Sequence, residues 1–155
     1  MAFVDGVWVK GTLPAGVDLK RCDVFLDRRG WLVEWLDETK LGTLNVRSVY
    51  TSIAYPGQER AGHYHLKRTE YWMVIGGEAE VELFDLREDS PTFEAHCTFC
   101  MGDVCPARLI IPPRVAHVFR ALGVAEARLL VCATECYNPD DNVPYDFSGW
   151  PRRTA

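Results

Sequence analysis

The sequence predicts an all-β fold, a sandwich or a barrel, because it is a series of short apolar or alternating runs separated by turn residues. The runs are roughly 4–8 residues long, as strands usually are, and include 31–36, 49–55, 71–75, 78–85, 108–111, 116–119 and 127–132. The gaps between them carry turn-forming pairs such as Pro56-Gly57, Gly76-Gly77 and Pro112-Pro113. Convincing helical periodicity is scarce along the whole chain.

At 155 residues, the chain is long enough to bury a sizeable core and short enough for one domain, which we place at 1–155. We expect the β core over about 24–137. From 138 to 155 the sequence is polar and proline-rich, and we expect an irregular tail, packed across the barrel by Tyr145, Phe147 and Trp150.

The bulk charge argues against nucleic acid as a partner. The net charge is −5, whereas phosphate contacts need a concentrated excess of Lys and Arg. The N-terminal residues do not resemble a secretory signal, and no run of about 18 apolar residues predicts a membrane span. We therefore expect a cytoplasmic protein with no membrane partner, in which the six cysteines are reduced thiols.

Three of the four histidines fall in a pattern that suggests a metal site. His63 and His65 are two residues apart, so on a strand their side chains point to the same face. Glu70 follows a short turn, and His117 begins another predicted strand after Pro112-Pro113. Three imidazoles and one carboxylate suit a divalent ion, so we predict His63, His65, Glu70 and His117 as ligands. This set does not distinguish among Zn, Fe, Mn and Ni.

These residues also carry a resemblance to the cupins. The segment from Gly57 to Gly77 matches the cupin signature G-x5-H-x-H-x4-E-x6-G at every fixed position. A second segment resembles the signature P-x-G-x2-H, with Pro112 and His117 in place and Arg114 where glycine is usual. The resemblance implies a single cupin domain, a double-stranded β-helix or jelly roll. It says little about activity, because this fold hosts many.

Further motifs resemble the nucleotide-sugar epimerase branch of the cupins, including the dTDP-4-dehydrorhamnose 3,5-epimerases. Residues 27–34 resemble D-x-R-G-x-F-x-E, 85–93 resemble D-L-R-x-x-S-P-T-F, and 111–119 resemble I-P-P-G-x-A-H-G-F. The stretch from Arg60 to His65 is similar to the R-G-L-H of these epimerases and to the R-G-G-H-x-H of sugar 3,4-ketoisomerases. The cupin domain of capsular-polysaccharide epimerases is also similar.

The resemblance implies an isomerase, an epimerase or ketoisomerase of a nucleotide-diphospho-4-keto-6-deoxy sugar in polysaccharide biosynthesis, working as a homodimer. A histidine would remove a proton beside the ketone, and a cation would hold the enolate oxygen. The implied catalytic residues are His63, His65, Lys67 and Tyr137. The implied substrate-binding residues are Arg29, Glu34, Arg60, Arg87 and His117.

Two points of this mechanism stay open in the sequence. The epimerases carry a tyrosine acid on the strand before Tyr137, and residues 129–132 contain none, so the acid would be Tyr50, Tyr64, Tyr71 or Tyr137. His63 cannot be both a metal ligand and a free base, because ligation uses its lone pair. Either the working form lacks a metal, or the base is another group such as a metal-bound hydroxide.

Two alternative functions also remain. One is a metal-dependent cupin of another class, a dioxygenase or a phosphosugar isomerase, and the other is a non-catalytic sugar-binding cupin. A separate spacing, Cys97-x2-Cys100 with Cys105 nearby, is compatible with a structural zinc. With no second pair of cysteines at a distance, a strand and turn with incidental thiols explains it better.

Overall fold

The computed structural model describes residues 1–149, which form an antiparallel β structure with very little helix. In chain order the strands are β1 (Ala2–Val4), β2 (Val7–Gly11), β3 (Asp18–Arg21), β4 (Phe25–Asp27), β5 (Gly30–Leu32), β6 (Ser48–Ala54), β7 (Glu59–His65), β8 (Glu70–Gly76), β9 (Glu78–Asp85), β10 (His96–Gly102), β11 (Ala107–Ile111), β12 (Val115–Leu122), β13 (Ala127–Ala133) and β14 (Asn142–Pro144). A short helix α1 spans Glu38–Leu41, and a 3₁₀ helix spans Pro139–Asp141.

Two large sheets make up the barrel. A seven-stranded sheet has the order β1-β2-β10-β9-β12-β7-β14, and a five-stranded sheet has the order β3-β11-β8-β13-β6. Strands β4 and β5 pair only with each other, as a hairpin apart from both sheets. The all-β jelly-roll class predicted from the sequence is confirmed.

The core lies between the two sheets, because alternate side chains of each strand point inward. Val81 and Leu83 of the larger sheet and Leu129 and Val131 of the smaller one belong to one buried cluster. Residues 7, 9 and 19 of β2 and β3 belong to the same cluster. The core therefore begins well before residue 24, the expected boundary. Those short N-terminal runs carry little periodicity of their own and are defined by the strands beside them.

The C-terminal segment is more ordered than the sequence suggested. Strand β14 pairs with β7 at the edge of the larger sheet. Phe147 is buried against Phe84 and Val118 on the outer face of that sheet, and the ring of Tyr145 stacks on Phe84. Trp150, the third residue expected to pack there, lies outside the described residues.

Two further observations bear on partners and metals. Within residues 1–149, none of the helices has the length and apolar character needed to cross a membrane. All six cysteines are free thiols. On β10, Cys97 is buried in the core, whereas Cys100 lies three positions along and points to the opposite face. Two cysteines on opposite faces of one strand cannot hold the same ion.

Candidate active site

The His63, His65, Glu70 and His117 side chains come together between the two sheets. His63 and His117 are directly paired across β7 and β12, and Glu70 enters from β8 of the other sheet. One nitrogen or oxygen atom from each of the four residues lies within 4.8 Å of the others. The sequence pattern thus predicted the cluster correctly, because strand alternation and antiparallel pairing bring these positions to one inner face.

Two backbone features set the positions of the histidines. Gly62 has a φ of 77°, and the pairing of β7 with β12 shifts register beside it, so an extra residue bulges there. Arg114 has a φ of 61°, the left-handed conformation that favours glycine, which is the residue of the cupin signature at this position. Its amide donates a hydrogen bond to the carbonyl of His65 at 2.7 Å, which ties the turn before His117 to the end of β7.

Glu70 is the hub of the cluster and is 1% exposed. Its Oε1 accepts hydrogen bonds from the Tyr50 hydroxyl at 2.7 Å and from His65 Nε2 at 3.1 Å. Arg68 Nη1 lies 3.4 Å from the same oxygen, and Trp72 Nε1 donates to Oε2 at 2.8 Å. Burial by itself raises the pKa of Glu70, but the hydrogen bond from His65 and the neighbouring imidazoles outweigh it and hold the pKa below its usual range.

His65 lies between two acceptors. Its Nδ1 is 3.1 Å from the carbonyl oxygen of Asp141, and its Nε2 faces the Glu70 carboxylate. A carbonyl and an ionised carboxylate can only accept, so both ring nitrogens must carry protons, and we assign His65 as an imidazolium. Asp141 also accepts at Oδ1 from the amides of Leu66 and Lys67, which fixes the turn that follows β7.

His63 and His117 are neutral. Desolvation, together with the neighbouring imidazoles, lowers the pKa of His63 to about 3. Burial lowers the pKa of His117 to about 4, although the charge of Glu70 opposes that shift. His117 donates from Nδ1 to the carbonyl of Val115 at 3.0 Å. His63 is only partly buried, so its imidazole is the one accessible neutral base of the cluster.

The other predicted site residues lie outside this cluster. Lys67, Arg60, Arg29 and Glu34 are exposed, and Tyr137 is 75% exposed. The Arg29 guanidinium pairs with the neighbouring Asp27, and Glu34 with Lys40. The cluster does not include Lys67 or Tyr137, because one lies in a turn and the other in the loop after β13, and neither is held facing inward.

Arg87 has a structural role in this fold. Its guanidinium donates to both oxygens of Asp85 at 2.8 and 2.9 Å and to the carbonyl of Ala15 at 2.6 Å. Asp85 also accepts from the hydroxyls of Ser90 and Thr92 at 2.6 and 2.7 Å. The D-L-R-x-x-S-P-T-F motif therefore builds a hydrogen-bonded turn, and its arginine is committed to holding that turn.

Sequence reasoning missed two groups that contact Glu70. Arg68 is 5% exposed, and turn residues follow no period that would have favoured it over Lys67. Trp72 lies two residues after Glu70 on β8, so the alternation of a strand could have placed it on the same face. Asp141 is remote in sequence, and no local pattern marks it as the partner of His65.

The sequence and the fold were compared with known proteins. The family model described as dTDP-4-dehydrorhamnose 3,5-epimerase matches residues 13–148. The chain is 35% identical over 135 residues to a spore coat polysaccharide biosynthesis protein of Bacillus subtilis (strain 168), covering 84% of this chain and 89% of that one. It is 33% identical over 140 residues to a probable low-salt glycan biosynthesis epimerase of Haloferax volcanii, covering 84% and 87%.

Solved structures show the same fold. A dTDP sugar isomerase from Desulfovibrio desulfuricans G20 superposes with a TM-score of 0.80 at 23% identity, covering 87% of each chain. A dTDP-6-deoxy-D-glucose-3,5-epimerase from Legionella pneumophila, in complex with dTDP-4-keto-L-rhamnose, gives a TM-score of 0.78 at 22% identity, covering 92% of this chain and 79% of that one.

The predicted divalent metal is wrong. Epimerases of the matched family act without a metal cofactor. The contacts inside the cluster give the physical reason. Glu70 is occupied by donors from Tyr50, His65 and Trp72, and Nε2 of His65 carries a proton instead of a lone pair. Arg68 also places a positive charge beside the carboxylate that was expected to bind the ion. The protein's own hydrogen bonds thus occupy Glu70 and His65, whereas Nε2 of His117 has no hydrogen-bond partner.

Proposed function

Because this chain belongs to the dTDP-4-dehydrorhamnose 3,5-epimerase family, we propose that it inverts a carbon beside the ketone of a dTDP-linked 4-keto-6-deoxy sugar. The names of its relatives favour a role in the biosynthesis of a surface polysaccharide or glycan. The observation that carries the proposal is a neutral, partly accessible His63 beside a buried network of opposite charges.

In this proposal His63 is the base. A ketone at C4 acidifies the hydrogens on C3 and C5, and a neutral imidazole within reach can remove one of them. The electrons of the broken C–H bond form the enolate, whose charge collects on the C4 oxygen. The His65 imidazolium and the Arg68 guanidinium provide positive charge to stabilise that oxygen. His117 shapes the floor of the site as a buried neutral group.

Arg60 is the proposed contact for the diphosphate. Arg60 pairs with Phe119 of β12, and His63 pairs with His117 of the same strand. Phe119 and His117 are two residues apart, so they point to the same face of the sheet. The bulge at Gly62 thus places Arg60 and His63 on the same face of β7, and the Arg60 side chain is exposed to solvent. A guanidinium there can form paired hydrogen bonds with phosphate oxygens.

We further propose a homodimer that uses the β4–β5 hairpin. This hairpin stands apart from both sheets, and Phe25, Leu26 and Leu32 are 66%, 76% and 60% exposed. Several large exposed apolar side chains on one short hairpin are typical of a surface that another chain covers. Arg29 and Glu34, at and just after the hairpin, would then line an interface. Six free thiols are consistent with a cytoplasmic location.

The test is proton NMR of dTDP-4-keto-6-deoxyglucose incubated with the protein in D2O. We expect loss of the C3 or C5 proton signal and the appearance of an epimer. His63→Asn should slow the exchange by about 10²-fold or more, whereas His96→Asn, which changes the histidine outside the cluster, should retain it. Prior treatment with a chelator should leave the rate unchanged. Absence of exchange with the wild-type protein, repeated with UDP- and GDP-linked sugars, would overturn the proposal.

A further inference from the structure

Inversion of a carbon needs a proton donor as well as a base. The base removes a proton from one face of the carbon, and the new proton must arrive on the other face. We propose that Tyr50 is this donor, and that the Arg68 guanidinium stabilises the phenolate left when Tyr50 gives up its proton. This proposal rests on the proposed function.

Tyr50 lies on the inner face of the smaller sheet. It pairs directly with Val131 of β13, which in turn pairs with Trp72 of β8. Directly paired residues point to the same face of a sheet, and both Val131 and Trp72 are buried in the core. The ring of Tyr50 therefore points into the barrel from β6, although the residue is still 38% exposed. That combination gives its hydroxyl access to the cluster and to a bound molecule.

The base and the proposed acid come from different sheets. His63 belongs to β7 of the seven-stranded sheet, and Tyr50 to β6 of the five-stranded sheet. The Tyr50 hydroxyl lies 2.7 Å from Oε1 of Glu70. Glu70 and His63 belong to the same histidine–glutamate cluster. A sugar ring lying between the sheets would present one face to each residue. This is the arrangement that inversion requires.

The remaining tyrosines do not meet these conditions. Tyr71 follows Glu70 directly on β8 and so points to the opposite face. Tyr64 and Tyr145 pack in the apolar cluster outside the larger sheet, and Tyr55 and Tyr137 are 68% and 75% exposed. Among the described tyrosines, Tyr50 is the one whose hydroxyl contacts the cluster.

The surroundings of Tyr50 fit a group that begins the cycle with its proton. Burial and the charge of Glu70 raise the pKa of its hydroxyl, and Arg68 acts in the opposite direction. A phenol in this state is still a far stronger acid than a carbon acid beside a ketone. Arg68 is 5% exposed, and its buried Nε has no hydrogen-bond partner in the structure. Both the charge of Arg68 and a hydrogen bond from its side chain lower the pKa of Tyr50, so Arg68 favours the phenolate.

The proposed step balances in protons and electrons. His63 takes the proton from C3 or C5, and the C–H electron pair becomes the double bond of the enolate. That pair then takes the proton of Tyr50 on the opposite face, and the C4 ketone re-forms. Tyr50 is left as a phenolate and His63 as an imidazolium, and proton exchange with solvent, to which both residues are partly exposed, restores both.

Tyr50→Phe tests this assignment, with Tyr55→Phe as the matched control on an exposed tyrosine just after the same strand. In D2O, the variant should still exchange the substrate hydrogen through His63, with retention of configuration. Formation of the epimer should fall by about 10²–10⁴-fold, the usual contribution of general acid catalysis. Tyr55→Phe should match the wild-type protein in both rates.

The alternatives give different results. If Tyr50 only positions Glu70, exchange and inversion fall together in Tyr50→Phe, and the acid assignment is wrong. If neither rate falls, the assignment is wrong as well. Failure of the wild-type protein to exchange would instead overturn the proposed function, so the two failures are distinguishable. The thermal unfolding temperature of each variant is the control: a variant that unfolds well above the assay temperature is folded during the assay, so a decrease in its rate reflects the chemistry.

Discussion

Replacement of Glu70 by glutamine removes the negative charge from the centre of the cluster and keeps the shape of the side chain. In the wild-type protein, the Glu70 carboxylate accepts hydrogen bonds from Tyr50, His65 and Trp72. Nη1 of Arg68 lies 3.4 Å from its Oε1. The amide oxygen of glutamine can still accept from one side. Its NH2 group can only donate, however, and it would face other donors. The Arg68 guanidinium and the His65 imidazolium would lose their counter-charge while staying buried.

The magnitude follows from burial. Glu70 is 1% exposed and Arg68 is 5% exposed, so solvent screens neither charge effectively. Removing one partner of a buried ion pair destabilises a protein by about 3–5 kcal/mol, because the other charge is left without compensation. For a chain of this length, each kcal/mol lowers the melting temperature by about 2–4 °C. We therefore expect a decrease of roughly 6–20 °C.

Urea unfolding of Glu70→Gln beside Glu135→Gln measures this effect. Glu135 pairs with Arg47 at 3.1 Å, but the two side chains are 43% and 56% exposed, so that change should cost about 1 kcal/mol or less. A loss for Glu70→Gln no larger than that of Glu135→Gln would refute the argument that Glu70 compensates the buried positive charges. A combined Arg68→Met and Glu70→Gln variant should regain part of the loss, because it removes the unpaired guanidinium.

Two further predictions concern stability. Asp85→Asn should lower the free energy of unfolding by about 2–4 kcal/mol, because a buried carboxylate loses its charged hydrogen bonds with Arg87, Ser90 and Thr92. The rate of substrate hydrogen exchange by the folded protein should not change. A loss in urea unfolding no larger than that of Glu135→Gln would contradict this. His117 has a pKa of about 4 when folded and near 6.5 when unfolded, so the unfolded chain binds more protons between these values and stability falls as pH falls. The slope from this one group reaches about 1.4 kcal/mol per pH unit. In urea unfolding, His117→Gln should therefore reduce the loss of stability between pH 7 and pH 5 by about 2 kcal/mol, and an unchanged loss would contradict the assignment.

The sequence predicted the three histidines and Glu70 as one cluster because the information is local. Two histidines separated by one residue must share a strand face, and a proline turn before His117 starts a strand that can return to it. The prediction that these residues bind a metal was wrong, since the same side chains that can hold an ion can instead take part in hydrogen bonds within the protein. Which of these occurs depends on Tyr50 and Arg68, and neither is part of the motif.

The sequence analysis named Lys67, whereas the structure buries Arg68 beside Glu70, and this difference has a simple cause. Both are cations in the turn between β7 and β8, and a turn has no fixed period that would say which one faces inward. The structure buries Arg68 and leaves Lys67 exposed, with its backbone amide bound to Asp141. Asp141 comes from a segment far along the chain, so its effect on this turn could not be deduced from neighbouring residues.

The sequence by itself determined the fold class, the inner face of β7 and the membership of the histidine–glutamate cluster, because strand alternation and turn chemistry act over a few residues. The tertiary structure decided the charge state of His65, the burial of Arg68 and the approach of Tyr50 from the opposite sheet. Each of these depends on contacts between residues distant along the chain, and burial at such contacts sets which proton each group keeps.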